Sequence, residues 1–225
     1  MPQVYAVVHD GAGKFLIAQK NCRGYFFHSS SRSGGSVIRW GQPLNAGGLP
    51  ALPGGRLEAS NPAAGAAQEL LEETGTDIGE VEGFAVSPAT FQDRERFARY
   101  FGVYFQVTPE ALFLLPDVIN ARLGRAKLAA EKVRTTPDLS YAALMVEFPE
   151  SPADNELEQV SVWDLMNEAD WAIISSWKDD PEIGWYYPIL ANLKAKLSGK
   201  DLAGVSPTPR HRPKRLVSRF ARRRR

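Results

Sequence analysis

Residues 52–76, Leu-Pro-Gly-Gly-Arg-Leu-Glu-Ala-Ser-Asn-Pro-Ala-Ala-Gly-Ala-Ala-Gln-Glu-Leu-Leu-Glu-Glu-Thr-Gly-Thr, constrain this chain more than any other stretch. They read as a tight glycine turn followed by a short helix. Asn61 is a good N-cap, because its side-chain oxygen can accept from a free backbone N–H of the first turn. Pro62 takes the first helical position, where a missing N–H does no harm. Gly75 stands where a helix ends in the left-handed conformation that glycine tolerates. Glu69, Glu72 and Glu73 are spaced i, i+3, i+4 and fall within an arc of roughly 100°. Like charges this close repel, and a hard divalent cation with oxygen ligands removes the repulsion. Gly54 and Gly55 let a backbone carbonyl approach the same cation, since no side chain blocks it. A Glu trio alone is more often a solvated helix face. The preceding Pro-Gly-Gly turn and the closing Gly75 favour the cation.

The stretch resembles a Nudix box, the loop–helix signature of the Nudix hydrolases. The family pattern is Gly, five residues, Glu, seven residues, Arg-Glu, an aliphatic, any residue, Glu-Glu, any residue, Gly, an aliphatic. This chain keeps Gly55, Glu69, Leu70, Glu72, Glu73 and Gly75, together with Pro53-Gly54 and Glu58. It departs in four ways. The spacing from Gly55 to Glu69 is one residue short, and Ser60-Asn61 replace the loop Glu. Gln68 stands where the family has Arg, and Thr76 replaces the final aliphatic. The shortening falls in a loop, where length change costs least. Gln68 donates a hydrogen bond but carries no charge to pair with the neighbouring Glu.

The resemblance implies an α/β fold, an α/β/α sandwich around a mixed sheet, over roughly residues 3–175. It implies a Mg2+- or Mn2+-dependent pyrophosphohydrolase that cleaves a nucleoside diphosphate linked to another moiety. Glu69, Glu72 and Glu73 are the expected metal ligands, with the Gly54 carbonyl beside them. Many family members draw a further carboxylate from the neighbourhood of the last strand; here Glu156 and Glu158 are the candidates, and Glu73 or Glu156 is expected to take a proton from the attacking water. The alternative is a degenerate Nudix domain that binds a nucleotide ligand or RNA without hydrolysis, aided by the basic C-terminal tail and motivated by the shortened box and Gln68.

Length and composition set the frame. A chain of 225 residues with 44% apolar content suits one domain and a tail. A single cysteine, Cys22, excludes an internal disulfide and fits a reducing cytosol, so a cytoplasmic protein is expected. The N-terminal Met-Pro-Gln-Val-Tyr-Ala-Val-Val shows no basic signal region, and no transmembrane span is expected. Residues 206–225 carry nine Lys or Arg and no acidic residue; removing nine charges from a net +1 leaves −8 on the body. Residues 199–225 are therefore read as a disordered Arg-rich tail, a candidate for binding RNA or an anionic membrane surface.

Along the chain, Val4–Val8 and Lys14–Lys20 predict a β-hairpin across His9–Gly13. Residues 21–50, rich in Ser, Gly and Arg, read as a long connection. Within it Arg32 and Arg39 are candidates for phosphate and Trp40 for stacking on a base. Residues 81–86 and 97–107 read as strands, with Arg94, Arg96 and Arg99 as candidate pyrophosphate contacts. Residues 109–138 predict an amphipathic helix interrupted at Pro116, taken as an insertion that packs on the domain, caps the site or forms a homodimer contact. Residues 140–148 read as a strand, and residues 171–197 as a helical region. The domain is placed at residues 1–198.

Overall fold

The computed structural model describes residues 2–29, 34–59, 61–87, 91–93 and 100–199. Strand β1 (Gln3–His9) is the centre of the main sheet. It runs parallel to β9 (Tyr100–Gln106) in seven-residue register, from Gln3↔Tyr100 to His9↔Gln106. Strand β2 (Lys14–Lys20) pairs antiparallel with β10 (Leu157–Asp164) along most of its length. The sheet is mixed, in the order β10-β2-β1-β9-β7, where β7 is Ala85–Val86. A short β8 (Phe91–Asp93) also pairs with β9.

The predicted hairpin of β1 and β2 forms, but it splays. The two strands pair at His9↔Phe15 near the turn and then separate. Two short strands fill the fork between them. Strand β5 (Pro50–Ala51) pairs with β2, and β6 (Gly54–Arg56) pairs with β1 at Tyr5↔Gly54 and Val4↔Gly55. The glycine turn of the box is thereby stitched into the middle of the sheet.

Alternation along β1 assigns the two faces. Val4 packs toward Gly65 of helix α1 (Pro62–Thr74). Its neighbour Tyr5 meets Tyr186 of helix α5 (Tyr186–Leu197) edge-on, with ring centroids 5.2 Å apart. On that second face Trp163 stacks near Trp177, which follows helix α4 (Glu168–Ser176). A mixed sheet between helical layers is the expected sandwich. The expected helices after residue 171 are α4, whose described span begins at Glu168, and α5.

Helix α2 (Pro109–Thr135) starts at the Thr108 cap as expected, but it does not break at Pro116. Proline removes one intrahelical bond and crowds the preceding turn. Burial of Leu112, Leu115, Ile119 and Leu123 on both sides of it outweighs that loss. The second half of α2 joins a separate small core of Phe26, Ala126, Ala129, Val133, Tyr141 and Leu144.

Two further expectations are corrected there. Residues 21–50 are not one long connection: they hold an antiparallel hairpin of β3 (Arg23–Ser29) and β4 (Gly34–Pro43). Residues 141–147 are helix α3 (Tyr141–Glu147), capped by Ser140, not a strand. Tyr141, Leu144 and Phe148 recur at helical spacing and face the small core. The predicted strand at 81–86 shortens to β7, since residues 81–84 turn, with Phe84 N–H donating to the Val81 carbonyl and Gly83 at φ 71°. The strand expected over 97–107 is present as β9, with residues 97–99 outside the described set. Among the described residues no helix is long and apolar enough to cross a membrane.

Candidate active site

Helix α1 forms as its sequence dictates. Asn61 accepts from Ala63 N at 2.9 Å, and Gly75 closes the helix at φ 71°, its N–H donating to the Leu71 carbonyl. Arg122 of α2 reaches that end, donating to the Gly75 carbonyl at 2.5 Å and to Thr76 Oγ1 at 3.2 Å. A cation there also complements the helix dipole. The ends of α1 are fixed, and so is the direction of its three carboxylates.

Glu73 points inward and is only 4% exposed. It accepts from the Gly54 backbone N–H at 3.3 Å. Glu69 lies against the neighbouring glycine: a Cβ on Gly55 would stand 2.7 Å from its carboxylate oxygen. Glu72 accepts from Gln68 Nε2 at 2.5 Å and lies 3.6 Å from His28 Nε2. The position where the family has Arg thus keeps a hydrogen bond without the charge.

The segment Asp154-Asn155-Glu156 brings two more carboxylates. Asn155 is buried and anchors it, donating its N–H to the Phe26 carbonyl and accepting from Tyr25 N. Asp154 N–H donates to the Glu72 carbonyl at 2.9 Å, and the Asp154 carboxylate accepts from His28 N–H. Glu156 pairs with Lys20 at 2.8 Å. Asp154 was not among the sequence candidates. In the sequence it is distinguished only by standing two residues before Glu156, and its contact with α1 is set by the fold.

This crowding shows in the protonation equilibria. Burial, followed by Glu72, Asp154, Glu156 and Glu58, pushes Glu69 up to about 8. Burial, with Glu156 and Glu72 adding to it, pushes Asp154 up to about 8 against the opposing His28 N–H. Glu73 is raised well above the carboxylate range by burial and then Glu156, with Lys20 opposing. Burial alone would lower Lys20, but Glu156, Glu73 and Glu69 hold it above its ordinary value. A cavity of about 220 Å³ lies over Glu69, Glu72 and Asp154, with Arg56 and Glu58 at its wall.

Residues 1–183 match the sequence profile of the NUDIX domain. The chain belongs to the Nudix family. Nudix proteins are hydrolases that act on diphosphate bonds, generally with divalent metals such as Mg2+. Comparison with curated proteins gives no match. Among solved structures, the chain is similar to a mutT/nudix family protein from Listeria innocua, at 15% identity and TM-score 0.41, over 89% of this chain and 97% of that one. It is also similar to Shewanella oneidensis NrtR, at 14% identity and TM-score 0.35, over 89% of this chain and 64% of that one. The same protein complexed with a 27mer DNA matches at 15% identity and TM-score 0.32, over 88% and 63%.

Among the described residues no three His, Cys, Asp or Glu side chains stand in a ready-made metal cage. The donor set nevertheless fits a hard cation. Several carboxylates crowd one cavity and raise one another's proton affinity, and oxygen-rich anionic sites of this kind suit Mg2+ or Mn2+.

The other sequence candidates lie elsewhere. Arg39 is exposed on β4, with Nε 3.4 Å from the Arg134 carbonyl of α2 and its guanidinium 5.0 Å from the Trp40 ring. Trp40 is 78% exposed. Neither lines a cavity beside the carboxylates. Glu158 is exposed and borders a separate groove against α2. Arg32, Arg94, Arg96, Arg99 and the tail from residue 200 lie outside the described residues.

Proposed function

We propose that this Nudix protein hydrolyses the diphosphate bond of a nucleoside diphosphate linked to another moiety, using a divalent cation held by Glu69, Glu72 and Glu73. The convergence of the box carboxylates with Asp154 and Glu156 around the Gly54–Gly55 turn supports this reading above all else. A bound divalent cation would neutralise charge on the diphosphate and make its attacking water more acidic. Glu69, Glu72 and Glu73 supply the anionic oxygens, and the two glycines leave room for them. Gln68 and His28 orient Glu72. Arg56, exposed at the cavity wall, meets phosphate oxygens. Glu156, held by Lys20, accepts the proton of the water.

The test is release of nucleotide from a panel of nucleoside diphosphate derivatives with Mg2+, with Mn2+ and with chelator. Glu72→Gln is expected to cost at least about 10²-fold in turnover. Near-normal turnover in that variant rejects the assignment. The contrary reading, a binding-only domain, rests on the shortened box and on Gln68 in place of the family Arg. It requires tight, metal-independent nucleotide binding without turnover in the same assay.

A further inference from the structure

Helix α2 packs on the domain through Leu112, Leu115, Ile119, Leu123 and Ala126. Its other side carries apolar residues too. Phe113 is 78% exposed, and Leu114, Val118 and Leu128 are exposed as well. They form a stripe along one helix rather than the single exposed side chains that any surface carries. The charges on this side are ordered about Ala121. Glu110, Leu114 and Asp117 precede it by 11, 7 and 4 residues, and Arg125, Leu128 and Lys132 follow it by 4, 7 and 11. At 100° per residue these positions fall within an arc of roughly 80° on the side away from the core.

Such a face is complementary to itself. Two copies laid antiparallel about a twofold axis at Ala121 set Leu114 against Leu128, Asp117 against Arg125 and Glu110 against Lys132, each contact made twice. Every acid in the seam meets a base. Among the described residues neither Glu110 nor Asp117 has an ion pair within its own chain. Arg125 lies 3.6 Å from Glu150 and Lys132 2.8 Å from Glu147, and each keeps further N–H donors for a second carboxylate. The same placement brings Phe113 level with Ala129 of the other copy, on the flank where α2 borders β3. A groove of about 370 Å³ lies on that flank, lined by half-buried Tyr25 and by exposed Gly124 and Leu128, together with charged Lys127, Glu131 and Arg134. A Cβ on Gly124 would meet nothing within 4 Å, so the helix side of the groove is open. A glycine at an exposed position inside a helix otherwise only destabilises it.

We propose that α2 is the interface of a homodimer, in which two copies pack antiparallel along residues 110–132 and each seats its Phe113 in the groove between α2 and β3 of the other. The seam is about 33 Å long at 1.5 Å per residue. Its apolar side chains supply the contact, and its charge order fixes the direction and register, because a parallel pairing or a slip along the seam breaks the match of acid to base. The proposal is independent of the hydrolase reading.

Sedimentation velocity on the full chain, across about 1–100 μM where a micromolar dimer dissociates, is expected to show a species of twice the 24.8 kDa chain mass. Asp117→Arg creates two like-charge pairs across the twofold and is expected to weaken the dimer at least about tenfold, as is Arg125→Asp. The double variant Asp117→Arg/Arg125→Asp restores opposite charges and is expected to return the dimer to within about threefold of wild type. Phe113→Ser empties the groove and is expected to weaken the dimer at least about tenfold. All of these positions are exposed, and a thermal melt checks that each variant folds. A monomer at every concentration overturns the inference and leaves the face to another partner. So does a dimer indifferent to the single charge reversals or to Phe113→Ser, or one that the double reversal fails to restore.

Discussion

Gly55→Ala separates the catalytic role of the glycine turn from its structural role. Gly55 lies outside the left-handed region, so alanine meets no backbone strain, and the smaller freedom of the unfolded chain stabilises by about 0.4–1 kcal/mol. The added Cβ would stand 2.7 Å from Glu69 Oε2 and 2.9 Å from its Cδ. The nearest atoms are the end of a flexible side chain, so the strain is relieved by moving the carboxylate. Restoring ordinary contact at 3.4 Å moves it roughly 0.7 Å. A displacement near 1 Å in a catalytic group can cost about 10²-fold, so kcat/KM should fall about 10- to 100-fold, or roughly 1.4–2.7 kcal/mol of transition-state stabilisation. The assay is kcat/KM across a Mn2+ titration, beside a thermal melt. An unchanged or slightly higher Tm with a large kinetic loss is the expected outcome. Activity within threefold of wild type, at unchanged metal requirement, refutes a role for the Glu69 carboxylate where it lies. Gly54→Ala is the contrast: there the Cβ would run into the Val4 carbonyl and stand 2.8 Å from Tyr5 Cα. Backbone cannot swing aside, and a loss of about 1–3 kcal/mol in folding stability is expected by urea denaturation.

Metal-free protein should lose stability as pH rises from about 4 to about 8. Glu69 and Asp154 have folded values near 8, raised from 4.5 and 3.8, so the folded state holds more protons in that window. Their contribution is fully present below the unfolded values and gone above the folded ones. Differential scanning fluorimetry with chelator and with Mn2+ checks this, and a Tm that climbs across the window without metal contradicts it. Arg122→Met removes the hydrogen bonds to Gly75 and Thr76 and should cost about 1.5–3 kcal/mol by urea denaturation. Pro116→Ala should restore a backbone bond inside α2 and raise Tm; a fall in Tm means the ring's packing matters more than the lost donor.

The box was legible because its signals are local. Asn61, Pro62 and Gly75 each act within one helical turn, and three carboxylates at i, i+3, i+4 share a face whatever surrounds them. The β3–β4 hairpin was illegible because its two faces pack against different partners. Phe26 is buried in the small core and the half-buried Phe27 beside it faces a cavity, so the alternation of polar and apolar residues that marks a strand is absent. Helix α3 is two turns long, and its Tyr141 and Val146, with Phe148 just after it, favour a strand until Leu144 finds the small core. Asp154 was passed over because no local rule ties it to α1. Only the fold reveals that its N–H bonds to the Glu72 carbonyl. Arg39 and Trp40 are the converse: their composition suits a ligand, but Arg39 lies against the end of α2.

The forked hairpin of β1 and β2 has a consequence for motion. The Pro53 carbonyl accepts from Ala6 N at 2.8 Å and the Leu49 carbonyl from Lys20 N at 3.0 Å, so the box turn is laced to both prongs. It cannot loosen without unzipping the centre of the sheet, and the Ala6 and Lys20 amides should exchange with deuterium only when the whole domain opens. The glycine turn at the reactive end is therefore held by the sheet's own ladder. The β3–β4 hairpin, in contrast, is bonded to residues 154–156 and reaches Glu72 through His28, so a change in it is felt at the carboxylates and not at the turn.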